Sequence, residues 1–267
     1  MPYHIDIAVN LLGGALENQI DSVINEAAGL GVSPLIVIGS TLDESAQAIE
    51  VCQQYPRQLY CTAGVHPHHS SLWDNQSTIA LRSLCQSPDV RAVGECGLDY
   101  NRDFSPRDMQ RKAFTAQLAL AVDLNMPVLM HCREAYADFI AILQEFRPHL
   151  PAALLHCFTG SHDEMQACLA LDLHIGVTGW VCDERRGQEL AALVPFIPNH
   201  RIMIETDSPY LLPRSMRPKP KSSKNYPKYL PYIAEVVAQL RGQTPAQLAA
   251  HCYANSAAFF NIEAKNA

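Results

Sequence analysis

The chain has 267 residues, 48% of them apolar and 18% charged. That composition excludes a disordered chain and supplies core enough for one large α/β domain or two modest ones. A net charge of −7 argues at first against a nucleic-acid partner.

The opening segment, MPYHIDIAVN, has no basic leader region, and Asp6 interrupts its apolar stretch. No signal peptide is expected. No apolar run approaches the ~18–20 residues needed to cross a bilayer, so the expected location is the cytoplasm. The nine cysteines form no CxxC pair, and they are expected to be reduced, mostly buried thiols and not a disulfide framework or a zinc ribbon.

Eight short apolar runs recur along the chain, each followed by a helical pattern. They are IDIAVNL near the start, PLIVIGS at 34–40, LYCTAGV at 59–65, VRAVGEC at 90–96, MPVLMHC at 126–132, AALLHCF at 152–158, LHIGVTG at 173–179 and RIMIETD at 201–207. Between two of them, 107–125 reads as an amphipathic helix with Phe114, Leu118, Ala121 and Val122 on one face. After 229 come two closing helices, roughly 229–241 and 245–260, with Thr244–Pro245 as the start signal of the second.

Strands this apolar, alternating with helices, imply a parallel sheet covered on both faces. Eight such units in a chain of this length predict a (β/α)8 TIM barrel, one domain over 1–267. No Gly/Ser linker divides the sequence, and no GxGxxG follows the first strand, which disfavours a dinucleotide-binding sheet.

In such barrels the carboxyl ends of the strands build the active site. Here those ends carry Glu95 and Asp99 after strand four, His131 and Arg133 after strand five, His156 after strand six, and Asp207 after strand eight. Strand three runs into His66 and His68. One such residue alone is usually structural. Glu95, His131, His156 and Asp207 at four strand ends would converge, and two imidazoles with two carboxylates are costly to hold together without a cation. They are the predicted metal ligands. Cys96, Cys132 and Cys157 each follow a predicted ligand, so strand alternation turns them toward the helix layer and away from the metal. His4 lies about 13 Å below Ala8 at ~3.3 Å per residue and is expected low in the barrel.

Five runs, GVHPH at 64–68, GECGLDY at 94–100, MHCR at 130–133, LHCFTG at 155–160 and ETDSPYL at 205–211, resemble the TatD family of metal-dependent deoxyribonucleases. The ending Asn255-Ser-Ala-Ala-Phe259-Phe260 is similar to that family's closing helix. The resemblance spans nearly the whole chain. It implies a 3′→5′ exonuclease on single-stranded DNA and RNA that uses Mg²⁺, cytoplasmic and monomeric, with a role in DNA repair. It implies Glu95, His131 and His156 as metal ligands and Asp207 as the carboxylate that binds metal and handles the proton of the attacking water. It also implies that His66, His68 and Arg133 meet the substrate phosphate. One departure stands out: members of the family open with Asp-x-His-x-His on strand one, whereas this chain reads Asp6-Ile7-Ala8-Val9-Asn10.

Phosphodiester hydrolysis suits a divalent ion, which polarises the phosphoryl group and acidifies water. Asp207 and Glu95 are the expected catalytic carboxylates, Asp207 as general base. Two imidazoles lean toward Zn²⁺ or Mn²⁺, but the absence of the strand-one histidines tilts the site back toward Mg²⁺, with Mn²⁺ as substitute. Residues 214–228 carry six basic residues and no acid, which leaves 14 basic against 27 acidic residues elsewhere. This stretch is expected to steer a nucleic-acid backbone, with Tyr210 and Tyr226 stacking on unpaired bases. Two rival readings stand beside this one: a metal-dependent hydrolase of another ester or amide, such as a D-aminoacyl-tRNA deacylase, and a non-catalytic nucleic-acid-binding barrel.

Overall fold

The computed structural model describes residues 3–263. Its strands are β1 (His4–Val9), β2 (Val32–Val37), β3 (Leu59–Ala63), β4 (Val90–Asp99), β5 (Val128–Arg133), β6 (Ala153–Leu155), β7 (His174–Val177) and β8 (Ile202–Ile204). Between and after them lie α1 (Ile20–Gly29), α2 (Leu42–Gln54), α3 (Ser77–Leu84), α4 (Arg107–Leu124), α5 (Tyr136–Phe146), α6 (His162–Ala170), α7 (Gln188–Leu193), α8 (Leu230–Leu240) and α9 (Pro245–Phe259). The strands form one eight-stranded sheet in sequence order. A parallel bridge from Val9 to Ser208 links the end of β1 to the segment that follows β8. This is the (β/α)8 barrel that the eight repeated runs predict.

The chain divides into two compact units, residues 1–37, 57–59 and 174–267 in one and 38–56 with 60–173 in the other. In the first unit β1 pairs with β2 and β7 with β8, both in parallel. The closing helices α8 and α9 pack on β1 and β8. Thr244 caps α9, accepting from the Gln247 amide while the Gln247 side chain reaches back to the Thr244 N–H. That reciprocal cap satisfies two otherwise orphaned donors.

In the second unit β3 to β6 form consecutive parallel ladders. The apolar face of α4 covers β4: Phe114, Leu118 and Ala121 are fully buried, and the Phe114 ring stacks on Phe139 at 5.3 Å. Val122, expected on the same face, is half-buried at its edge. Two buried glutamines of this helix do more than fill space. Gln117 Oε1 accepts from the Val65 amide at 2.8 Å and its Nε2 donates to the Val65 carbonyl. Gln110 holds Asp99 in the same two-way fashion, at 2.8 and 3.1 Å. One helix thereby clamps the chain at the ends of β3 and β4, beside the residues of interest.

β6 and β8 are shorter than their apolar runs, ending at Leu155 and Ile204. The cause is local: Cys157 and Asp207 have φ of 47° and 54°, outside the extended region, so the ladder cannot run through them. His156 and Asp207 therefore stand on turns just beyond their strands.

Candidate metal centre

β4 delivers Glu95 and Asp99 from one face of the strand, four positions apart as the pleat requires. Gly97 lies between them at φ 140°, where a Cβ would collide with the His131 carbonyl. Only glycine lets β4 approach β5 so closely at that point, and the register pairs Gly97 with His131 and Asp99 with Arg133.

Glu95 Oε1 is the focus of the second unit. His156 Nε2 lies 2.8 Å from it, His131 Nδ1 3.1 Å and His66 Nε2 3.3 Å. Glu95, His66 and His156 are buried, and His131 is half-buried. Single donor atoms of His66, Glu95 and His131 all fall within 4.8 Å of one another, close enough to hold one metal ion. Burial would raise the Glu95 carboxyl, but the pull of the His156 and His66 imidazoles and the hydrogen bonds of His131 and His156 outweigh it and hold Glu95 well below the usual carboxylate range. Burial pushes His66 down to about 4, so its ring is neutral near pH 7 and offers a lone pair, as a ligand must.

Asp99 braces this cluster from behind. Its Oδ2 lies 2.7 Å from His68 Nε2, and its Oδ1 accepts from the amides of Asn101 and Arg102. His131 Nε2 is 3.5 Å from Asp99 Oδ2, too long for a good hydrogen bond. That buried nitrogen has no hydrogen-bond partner among the described residues. Burial would lower His131, yet the carboxylates of Asp99 and Glu95 outweigh it and raise it. An unpartnered buried nitrogen, a neutral His66 and an ionised Glu95 form a mixed nitrogen and oxygen donor set that fits a divalent cation.

Asp207 belongs to the first unit, half-buried after β8. Its N–H donates to the Ala8 carbonyl, and its Oδ1 accepts from Asn10 Nδ2 at 2.9 Å. Asn10 is anchored in turn by its own amide on the Ser208 carbonyl. Asn10 and Asp99, which the sequence does not single out for the site, hold the side chains of Asp207 and His68. Strand alternation from Glu95 would have pointed to Asp99. Asn10 offered only its place in the strand-one register.

Of the expected residues, then, Glu95, His131 and His156 gather around one carboxylate oxygen. His66, expected at the substrate phosphate, joins them. His68 is tied to Asp99, and Arg133 is exposed at the end of β5. The cysteines next to the cluster stay out of it: Cys96 and Cys132 are buried, and burial drives both thiols up toward the inert protonated form. His4 is buried with its Nδ1 unpartnered among the described residues. Among those residues no helix is long and apolar enough to cross a membrane.

A family model described as TatD related DNase matches residues 5–261. The chain is 50% identical over 257 residues to the 3′-5′ ssDNA/RNA exonuclease TatD of Erwinia tasmaniensis, covering 96% of this chain and 99% of that protein. It is 52% identical over 239 residues to the protein of the same name from Edwardsiella piscicida, covering 90% and 92%. Among solved structures, a TatD homolog from Escherichia coli superposes with a TM-score of 0.89 at 24% identity over 97% of this chain and 98% of that one. A TatD family hydrolase from Entamoeba histolytica gives 0.86 at 27% identity over 98% and 99%. Matched along nearly its whole length, this chain belongs to the family of TatD-related DNases.

Proposed function

We propose that this protein is a divalent-metal-dependent nuclease that hydrolyses phosphodiester bonds of single-stranded DNA and RNA from the 3′ end. The observation that carries the reading is the convergence of His66, His131 and His156 on Glu95 Oε1. The names and high identity of the Erwinia and Edwardsiella relatives support the substrate.

Glu95, His131, His66 and His156 would hold the ion, with Asp207 as a further carboxylate ligand from the turn after β8. When bound, the ion supplies Lewis-acid polarisation of the phosphoryl group and acidifies water. Asp207 accepts the proton of the attacking water, its carboxylate oriented by the Asn10 amide on Oδ1. The carboxyl ends of all strands in a parallel barrel open on one face, which supports a shared role for residues after β3, β4, β5, β6 and β8. His68, fixed by Asp99, and the exposed Arg133 supply donors for the phosphate oxygens.

Imidazole nitrogens suit Mn²⁺ and Zn²⁺, whereas Mg²⁺ prefers oxygen ligands. We therefore assign Mg²⁺ as a loosely held activator and Mn²⁺ as a tighter substitute. The described cysteines are free thiols, eight buried and Cys157 partly exposed. That supports a reducing cytoplasm as the protein's location.

The test is a time course on end-labelled single-stranded DNA with Mg²⁺, Mn²⁺, Zn²⁺ or chelator, alongside Asp207→Asn. Expected are mononucleotides released from the 3′ end, no cleavage after EDTA, and restoration by added metal. Activity that survives exhaustive chelation would overturn the metal reading, and endonucleolytic fragments would overturn the exonuclease reading.

A further inference from the structure

The first unit contains a cavity of about 610 Å³. One wall is the segment Gly179–Arg186, which follows β7 through the 3-10 turn Gly179–Cys182. The other is formed by residues 211–223, beginning four positions after Asp207. Because β7 and β8 are adjacent and parallel, both walls grow from the carboxyl ends of neighbouring strands.

The walls are built and not loosely apposed. Gly179 packs so tightly on the Leu211 carbonyl that a Cβ would not fit, and Gly187 does the same against the Trp180 carbonyl. The Ser215 amide donates to the Cys182 carbonyl at 3.1 Å. Buried Asn225 donates from Nδ2 to the carbonyls of Thr206 and Leu211. Buried Asp183 accepts from the amides of Arg185 and Arg186 and from the Arg186 guanidinium. This turn sets the Arg186 guanidinium 4.7 Å over the Trp180 ring, whose Nε1 donates to the Arg186 carbonyl.

The lining is cationic. Arg185, Arg186, Arg214, Arg217, Lys219 and Lys221 face only Asp183 and Glu184, in a chain whose net charge is −7. Asp183 is engaged by Arg186 and lies near Arg214. Arg185, Lys219 and Lys221 make no ion pair among the described residues. Arg217 binds only the carbonyls of Arg214 and Met216. A concentrated positive wall beside a half-buried indole combines charge for phosphates with an aromatic face for an unpaired base. The volume lies within the ~300–1,000 Å³ of ligand pockets, room for a nucleoside and more than a lone phosphate needs.

We infer that this cavity is a subsite for the single strand, with one base against Trp180 and the flanking phosphates on Arg217, Lys219 and Lys221. The inference rests on the nucleic-acid reading above and adds a place on the first unit where the same strand is held. Tyr226, expected from the sequence to stack on bases, is instead packed edge-on to Tyr229 at 6.2 Å. Lys228 at the end of the basic stretch is paired with Glu26. Trp180 takes the stacking role, and the working cations end before Lys228.

Two measurements test it. In a Trp73→Phe background, which leaves Trp180 as the single tryptophan, a phosphorothioate oligothymidylate is titrated with metal present. At about twelve nucleotides it lies within the ~4–16 that one single-strand site spans. Saturable quenching of Trp180, weakened roughly tenfold by Arg217→Glu with Lys221→Glu and with a smaller salt slope, is expected. Separately, Trp180→Ala should lower kcat/KM on the long strand at least about fivefold more than on a dinucleotide, mainly through KM. Absence of quenching together with equal losses on long and short substrates overturns the subsite while the nuclease reading survives. Quenching by the phosphorothioate strand, together with a wild-type protein that leaves the matching phosphodiester strand uncleaved with metal present, supports the subsite and sinks the catalytic reading instead.

Discussion

Asn10 and Asp207 stand 197 positions apart in sequence, yet the Asn10 side-chain amide donates to Asp207 Oδ1 at 2.9 Å. The bond fixes the orientation of the carboxylate. The backbone on both sides is fixed independently, by Asn10 N–H on Ser208 and Asp207 N–H on Ala8. Asn10→Ala therefore removes only the orienting donor. A hydrogen bond to a charged group contributes ~1.5–3 kcal/mol, so kcat should fall at least about tenfold and the thermal midpoint by several degrees, at ~2–4 °C per kcal/mol. Steady-state rates and a melting curve on the same preparation check this, and an unchanged kcat would show that the bond does nothing for Asp207.

Asp99 holds His68 through Oδ2 and two backbone amides through Oδ1. An Asn at this position keeps the Oδ1 acceptor and the Gln110 clamp on the backbone, but presents a donor to the imidazoles. Outer-shell carboxylates of this kind are typically worth ~10–100-fold in metal affinity. Asp99→Asn should weaken Mn²⁺ binding in that range, read by calorimetric titration of the apo protein, with near-normal secondary structure by circular dichroism. Undiminished affinity would reduce Asp99 to a turn-forming residue.

How far the sequence reaches is visible in these two residues. Periodicity recovers the eight strands and the closing helices because a strand buried on both faces must be apolar throughout, and that pattern is local. Glu95, His131 and His156 are equally legible, since a polar group at the end of an apolar strand is anomalous in itself. His66 was assigned to substrate, because nothing in the run GVHPH says which imidazole turns toward β4. Asn10 stands out in the sequence only as a departure from the family's strand-one histidines, because its partner comes from the far end of the chain and no local pattern encodes a pairing of that span. Trp180 was invisible for a third reason: its significance comes from the basic segment 211–223 opposite it, which is a tertiary fact. The ends of β6 and β8 were overrun because apolar composition continues into turns whose positive φ at Cys157 and Asp207 stops the ladder.

Gly97 is a further consequence of close approach. At φ 140° with the His131 carbonyl where a side chain would begin, Gly97→Ala must either force β4 away from β5 or twist the strand out of its pairing. Strained backbone positions cost ~1–3 kcal/mol each, and the collision adds to that. The variant should melt at least about 5 °C lower, on the scale of ~2–4 °C per kcal/mol for a chain of this size. Because the displaced residue is His131, Mn²⁺ affinity should fall with it. A stable Gly97→Ala protein with intact metal binding would mean that β4 and β5 tolerate a wider spacing than the ladder shows.

His4 gives a pH dependence whose sign can be worked out from burial alone. Burial lowers its pKa from 6.5 to about 4, so the folded state holds the neutral ring and the unfolded chain binds the proton more readily. A group depressed in this way contributes stability above its unfolded pKa and loses it as pH falls toward the folded value. The window is pH 6.5 down to about 4, and at ~1.4 kcal/mol per pKa unit the loss between pH 7 and pH 5 is about 2 kcal/mol. His4→Gln removes the titrating group and keeps a polar side chain of similar reach. Its urea midpoint should therefore fall less than that of the wild type between pH 7 and pH 5. The buried carboxyl of Asp6, raised to about 8 by its own desolvation, works in the opposite direction over the same range but is present in both proteins, so it cancels in the comparison. Parallel curves for the two proteins would mean that water or a neighbouring acceptor already stabilises protonated His4 inside the fold.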